Sequence, residues 1–156
     1  GNNPVNWVDP LGLIWAIYNG WARTMTIFSN DMDFLGEYPT RNETTRSSLG
    51  QIPSGIYDVG EPRGPRGTTD KSTGNWFIPI LNVPGRTGIG LHGGGNSTRI
   101  KDPFAPRQGW VPTQGCIRTQ NEDLEDIIKF IQQDIKRNQS NRIIIIPKYP
   151  MSGFGK

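Results

Sequence analysis

A chain of 156 residues with 20 glycines, 13 prolines and 33% hydrophobic residues suits one globular domain rich in turns. Charged residues make up 20% and the net charge is +3, which excludes a disordered polyelectrolyte and favours an anionic partner without choosing among nucleic acid, membrane surface and cell-wall polymer. A single cysteine, Cys116, and a single histidine, His92, exclude an internal disulfide and the usual Cys/His zinc sites.

The first segment reads GNNPVNWVDPLGL, where Pro4, Pro10 and Gly12 break any regular element. The order Pro4, Asp9, Pro10, Gly12, Leu13 resembles the motif that closes the shell of Rhs-repeat proteins. In that family a variable toxin domain follows the motif, and the chain is commonly cut just after the last leucine. The resemblance implies a boundary, with residues 1–13 as the end of the Rhs core, cleavage after Leu13, and 14–156 as the toxin domain. This start lacks the basic residues and apolar stretch of an export signal. With no run of about 18 apolar residues either, another carrier and no membrane insertion are expected.

From Ile14 to Tyr38 the pattern is strand-like, and Arg23 to Phe28 alternates polar with apolar. Ser29-Asn30-Asp31 is turn chemistry, so Phe34 to Tyr38 returns as the second arm of a hairpin. Pro39 to Gln51 reads as a loop, Pro53 to Val59 as a turn entering a strand, and Glu61 to Gly74 as an exposed loop or flap. Strands follow at Asn75 to Val83 and Gly88 to His92, then a proline-rich loop from Asn96 to Thr113. Leu124, Ile127, Ile128, Ile131 and Ile135 share one face of a helix. Thr119 with Glu122 resembles a capping box, Asn121 is a second cap candidate, and Lys136 and Arg137 suit the helix end. Ile143 to Ile146 reads as a central strand. The fold class is therefore mainly β with one clear helix.

A cysteine nucleophile must become a thiolate, which takes a base or a positive field. His92 ends a predicted strand and opens onto Gly93, Gly94 and Gly95, where a side chain is offered to a cleft. Cys116 lies in Thr113-Gln-Gly-Cys-Ile-Arg118, ahead of a helix whose positive end favours thiolate. Gly115 leaves the backbone uncovered, so its N–H and that of Cys116 are placed to face an oxyanion. A lone histidine beside glycines is ordinarily a polar loop residue, and a lone cysteine is ordinarily buried and inert. From the residues alone both readings stay open.

The run Ile89-Gly-Leu-His92-Gly93, then Thr113-Gln-Gly-Cys116-Ile-Arg118 and Asn121, resembles the signature of the L,D-transpeptidase (YkuD-type) catalytic domain. Ile52-Pro-Ser-Gly-Ile-Tyr57 resembles the family's Thr-Pro-x-Gly turn, and Glu37-Tyr-Pro its strand ending in Tyr-Pro. The resemblance implies a β-sandwich or barrel catalytic fold and an acyl-enzyme mechanism on peptidoglycan stem peptides. It implies Cys116 as nucleophile and His92 as base, with backbone N–H groups of Gln114, Gly115 and Cys116 as the oxyanion hole. Gly93, Thr113, Arg118 and Trp110 are its supporting or substrate-binding candidates, Trp110 as part of a lid. No metal and no cofactor are implied.

Two departures stand out. The family usually carries a histidine where this chain has Gln114, and the spacing from His92 to Cys116, 116 − 92 = 24 positions, is longer than usual. A modified lid between Gly93 and Pro112 is expected, favouring hydrolysis (L,D-carboxypeptidase) and D-amino acid exchange over cross-linking. Together the two resemblances imply a secreted, type VI-like antibacterial toxin acting in the periplasm of the target cell. An Rhs shell before release and a cognate immunity protein are the expected partners, and nucleic acid is not. The competing readings are a nuclease toxin, which lacks a visible acidic metal cluster or basic stripe, and a non-catalytic cell-wall binding module.

Overall fold

The computed structural model describes residues 14–44, 48–65, 70–135 and 141–148, with backbone only for the last three helical residues. The expectations on Asp9, Pro10, Gly12 and Leu13, the cleavage after Leu13, and Lys136 and Arg137 at the helix end lie outside the described residues.

Eight strands and, among the described residues, one helix follow in chain order: β1 (Ile14–Asn19), β2 (Thr24–Ser29), β3 (Phe34–Arg41), β4 (Gly55–Val59), β5 (Phe77–Pro79), β6 (Gly90–His92), β7 (Ile117–Thr119), α1 (Asn121–Ile135) and β8 (Asn141–Ile146). They form one sheet in the order β4-β8-β1-β2-β3-β7-β6-β5. The two ends of that order meet. Val59 bridges Ile80, Gly60 N–H donates to Pro79 O at 2.9 Å, and Leu81 N–H donates to Asp58 O at 2.9 Å. The sheet is a nearly closed barrel, which leaves little edge exposed.

Alternation directs the core. In β1, Ile14, Ala16 and Tyr18 are buried while Trp15, Ile17 and Asn19 are half-buried, and in β2 Met25 and Ile27 are fully buried. The helix adds Leu124, Ile127, Ile128 and Ile131 to the same core. Burying a side chain of this size contributes roughly 1.5–3 kcal/mol. The isoleucine strand β8 is internal as expected, parallel to β1 and antiparallel to β4.

Three local readings are corrected. β3 runs on to Arg41, because Thr40 and Arg41 pair with Thr119 and Arg118 of β7. β7 itself was not anticipated: three residues are too few for periodicity to show. The capping box does not form, since Thr119 Oγ1 donates to Pro39 O at 3.1 Å and Asn121 Nδ2 donates to Pro103 O and Ala105 O at 2.8 and 2.7 Å. The proline-rich loop satisfies the helix start instead, with Pro106 O accepting Glu122 N–H at 3.0 Å and Arg107 paired to Glu122 at 2.6 Å. This loop is stitched to the helix.

Candidate functional site

β6 and β7 run parallel, with Leu91 opposite Ile117 and His92 opposite Arg118. Side chains alternate along each strand. Leu91 and Ile117 enter the core, so His92, Arg118 and, one pair earlier, Cys116 share the other face. The position beside Cys116 on β6 is Gly90, where a Cβ would strike the Phe77 ring and Ile78 O. Phe77 therefore lies over a glycine, with its ring stacked on His92 at a centroid distance of 5.9 Å and 20° between planes.

His92 is buried, and its Nδ1 lies 2.8 Å from Gly93 O. A carbonyl only accepts, so Nδ1 is the donor in this contact. The same carbonyl receives Arg118 Nη1 at 2.6 Å, which also donates to Gly94 O at 2.6 Å, while Arg118 Nε donates to Val111 O at 3.0 Å. Gly93 has no room for a side chain, because a Cβ would collide with Asn121 Oδ1.

Cys116 and His92 line a common cleft of about 520 Å³. Its walls come from Ser72 and Thr73, from Thr87 to Ile89, from Asn96 and Ser97, and from Val111 to Gln114. Among the described residues no Asp, Glu, Lys or Arg lines it. The sulfur sits 3.6 Å from Gly88 O. Burial pushes the thiol above its ordinary range, against smaller downward pulls from the Gly90 backbone and the Arg118 guanidinium. β7 stands between Cys116 and the start of α1 along the chain.

Of the expected site residues, His92, Thr113, Gln114 and Cys116 meet in the cleft, and Gly93 and Arg118 lie behind it. Arg118 is 4% exposed and its pKa is lowered by burial to about 10. It pins backbone carbonyls and does not line the cleft, so a substrate carboxylate is not its partner. Gly115 N–H donates to Thr113 Oγ1, itself on the cleft wall, at 3.4 Å. Trp110 is not a cleft residue. Arg118 fixes Val111 with its side chain buried, and the neighbouring Trp110 turns the other way, under the Arg41 guanidinium at 4.6 Å.

Two residues escaped the sequence reading. Asn42, 5% exposed, donates from Nδ2 to Gly115 O and Cys116 O at 2.8 and 2.9 Å and accepts Ile52 N–H at 2.9 Å. Arg86 donates to Leu49 O, Gly50 O and Gln51 O at 2.5 to 2.9 Å. Both hold backbone distant in sequence, so no local spacing announces them. Among the described residues no three His, Cys, Asp or Glu side chains gather as metal ligands would.

The profile of the L,D-transpeptidase catalytic domain (YkuD) matches residues 15–145, nearly the whole described barrel. The chain belongs to the L,D-transpeptidase catalytic domain family. Solved structures agree on the fold of this L,D-transpeptidase domain. Bd1075 of Bdellovibrio bacteriovorus is 20% identical with a TM-score of 0.57, over 85% of this chain and 47% of that one. The helical cell shape determining protein Pgp2 of Campylobacter jejuni is 18% identical with a TM-score of 0.59, over 88% and 48%. An L,D-transpeptidase of Stackebrandtia nassauensis is 14% identical with a TM-score of 0.56, over 88% and 57%. The chain spans about half the length of these proteins. No protein of curated function matches it.

Proposed function

We propose that this domain is a cysteine L,D-carboxypeptidase and L,D-transpeptidase acting on peptidoglycan tetrapeptide stems. The observation that carries the reading is the placement of the chain's single cysteine and single histidine in one cleft, with His92 Nδ1 held against Gly93 O. Because burial keeps the thiol protonated, His92 acts during the attack. Cys116 Sγ bonds to the carbonyl carbon of the L,D bond as its proton passes to His92 Nε2. The C–N bond then breaks, and that proton goes to the departing D-Ala amine. The Gln114, Gly115 and Cys116 N–H groups are the donors proposed for the tetrahedral oxyanion. Water attacks the thioester to give a tripeptide and restores the thiol, or a free D-amino acid attacks and gives an exchanged tetrapeptide.

The biological setting in this proposal is an Rhs-derived antibacterial toxin, released from its shell by cleavage after Leu13, acting in the target periplasm and restrained by an immunity protein. The motif from Pro4 to Leu13 supports it. The preference for small acceptors rests on the extended loop, which supplies Asn96, Ser97, Val111 and Pro112 to the cleft wall and is tied to α1. Trp110 is no part of that argument.

The test is incubation with purified muropeptides, with and without D-Met, followed by mass spectrometry. Tripeptide and D-Met-ended tetrapeptide accumulate with the wild-type chain, and Cys116→Ala forms neither while keeping its circular dichroism and melting curve. Unchanged stems with the wild-type chain, or equal turnover by Cys116→Ala, overturn the reading. Directing the domain to periplasm or cytoplasm tests the setting: harm only from the periplasm supports it, and equal killing from the cytoplasm returns the nuclease alternative.

A further inference from the structure

A second cleft, of about 320 Å³, shares Asn42 with the Cys116 loop. It is built where β1 ends, β2 begins and β3 ends, with Lys148 after β8 at its wall. Arg23 and Arg41 reach the same Glu43 Oε1, at 3.8 and 3.4 Å. One carboxylate oxygen thus serves two guanidiniums, each carrying five N–H donors. Tyr18 is the buried member of the set, 2% exposed. Its hydroxyl accepts Asn42 N–H at 3.1 Å, and among the described residues its own proton meets no acceptor. Burial holds this phenol above its ordinary range, with Arg23, Glu43 and Arg41 as the charges it feels, so the O–H remains a donor.

Among the described lining residues the balance favours donors: the Arg23 and Arg41 guanidiniums and the Tyr18 O–H stand against one carboxylate, Glu43. Planar guanidiniums converging beside a hydroxyl donor match the geometry of a carboxylate or phosphate. We infer that this cleft is a second binding site, for the oxyanion of a carboxylate or phosphate ligand, held by Arg23, Arg41 and Tyr18.

Two sources carry that chemistry: a peptide's terminal carboxylate, which the proposed stem substrate itself offers, and a phosphate. Nuclear magnetic resonance titration of the full Cys116→Ala chain at physiological ionic strength distinguishes them without turnover. The probes are inorganic phosphate, stem tetrapeptide and the tetrapeptide's C-terminal amide. Saturable shifts at the amides of Gly20, Arg23 and Asn42 are expected with at least one of the first two probes. Tetrapeptide shifts that the amide form does not give assign the peptide carboxylate, and shifts with phosphate alone assign phosphate. Arg23→Gln, at a half-exposed position, weakens the response about tenfold. No saturable shift at these amides with either oxyanion, or the same affinity in Arg23→Gln, overturns the inference. The phosphate arm does not depend on the peptidoglycan reading and the tetrapeptide arm rests on it. Phosphate binding in a chain whose wild type leaves muropeptides unchanged would sink the enzyme reading alone.

Discussion

The two clefts on either side of Asn42 are chemical opposites. Among the described residues the one at Cys116 is lined by hydroxyls, amides and small apolar groups without formal charge, and the other by Arg23, Arg41, Lys148 and Glu43. The difference teaches how reactivity is controlled. Among the described residues no carboxylate or ammonium lines the first cleft, and desolvation outweighs the Gly90 backbone and the Arg118 guanidinium in setting the thiol. Reactivity then depends on where the backbone holds Cys116 and which nitrogen His92 presents. The charged cleft is one hydrogen-bond chain away, through Tyr18 OH and the Asn42 amide.

The hardest blow to this contrast is His92→Ala. With no fixed charge to replace the base, loss of general-base help lowers kcat/KM on tetrapeptide by ~10²–10⁴-fold. A loss below tenfold in steady-state assays would mean that the thiol is activated by other means. Asn42→Asp comes next. It puts a carboxylate against Gly115 O and Cys116 O, and a buried carbonyl left without its donor costs about 1–3 kcal/mol. A lower denaturant midpoint and slower turnover are expected together. Unchanged stability would show that water replaces the amide and that Asn42 is not the tie between the clefts.

The pair proposed as reactive stood out because the chain offers no second candidate for either role, and because Gly-Cys-Ile-Arg is a compact signature. The barrel was legible where alternation runs over several residues, as in β1, β2 and β8. What stayed hidden has a common cause. Asn42 reaches Gly115 and Cys116 across 73 and 74 positions, and β7 exists because Leu91 and Thr40 flank a three-residue segment on its two sides. Such features are properties of the closed sheet. Trp110 read as a lid residue from its place on the loop, whereas its ring packs under the guanidinium of Arg41, a partner far off in sequence.

A milder test uses pH. Burial raises the thiol, so its reaction with iodoacetamide in the free protein climbs with pH and levels off only above the ordinary cysteine range of about 8.5. Stability follows the same direction. The unfolded thiol ionises first, so the contribution of the buried neutral thiol is complete below the unfolded pKa and is lost as pH rises toward the folded one. An alkylation midpoint below about 7 would reveal a preformed thiolate and remove the distinction between a neutral reactive cleft and a charged one.

The smallest expected effect concerns Thr73, on the wall of the neutral cleft. Its Oγ1 is buried and, among the described residues, has no hydrogen-bond partner. The segment that carries it is locked against the glycines after His92: Gly95 N–H donates to Lys71 O at 2.7 Å, and a Cβ on Gly94 would strike Gly74 N. The hydroxyl cannot reach a partner by moving the backbone, so it is a desolvated group with nothing to offset the cost. Valine keeps the shape and removes the oxygen, and removing an orphaned polar group is neutral or stabilising by up to ~1–3 kcal/mol. Thr73→Val should therefore raise the melting temperature slightly and leave kcat and KM for tetrapeptide within about twofold, because the enclosed oxygen faces protein and not ligand. If KM rises several-fold while the melting temperature also rises, the hydroxyl turns toward substrate when the cleft fills. The uncharged cleft would then be shown to recognise its ligand by hydroxyl contacts, in contrast to the guanidinium contacts proposed for its neighbour.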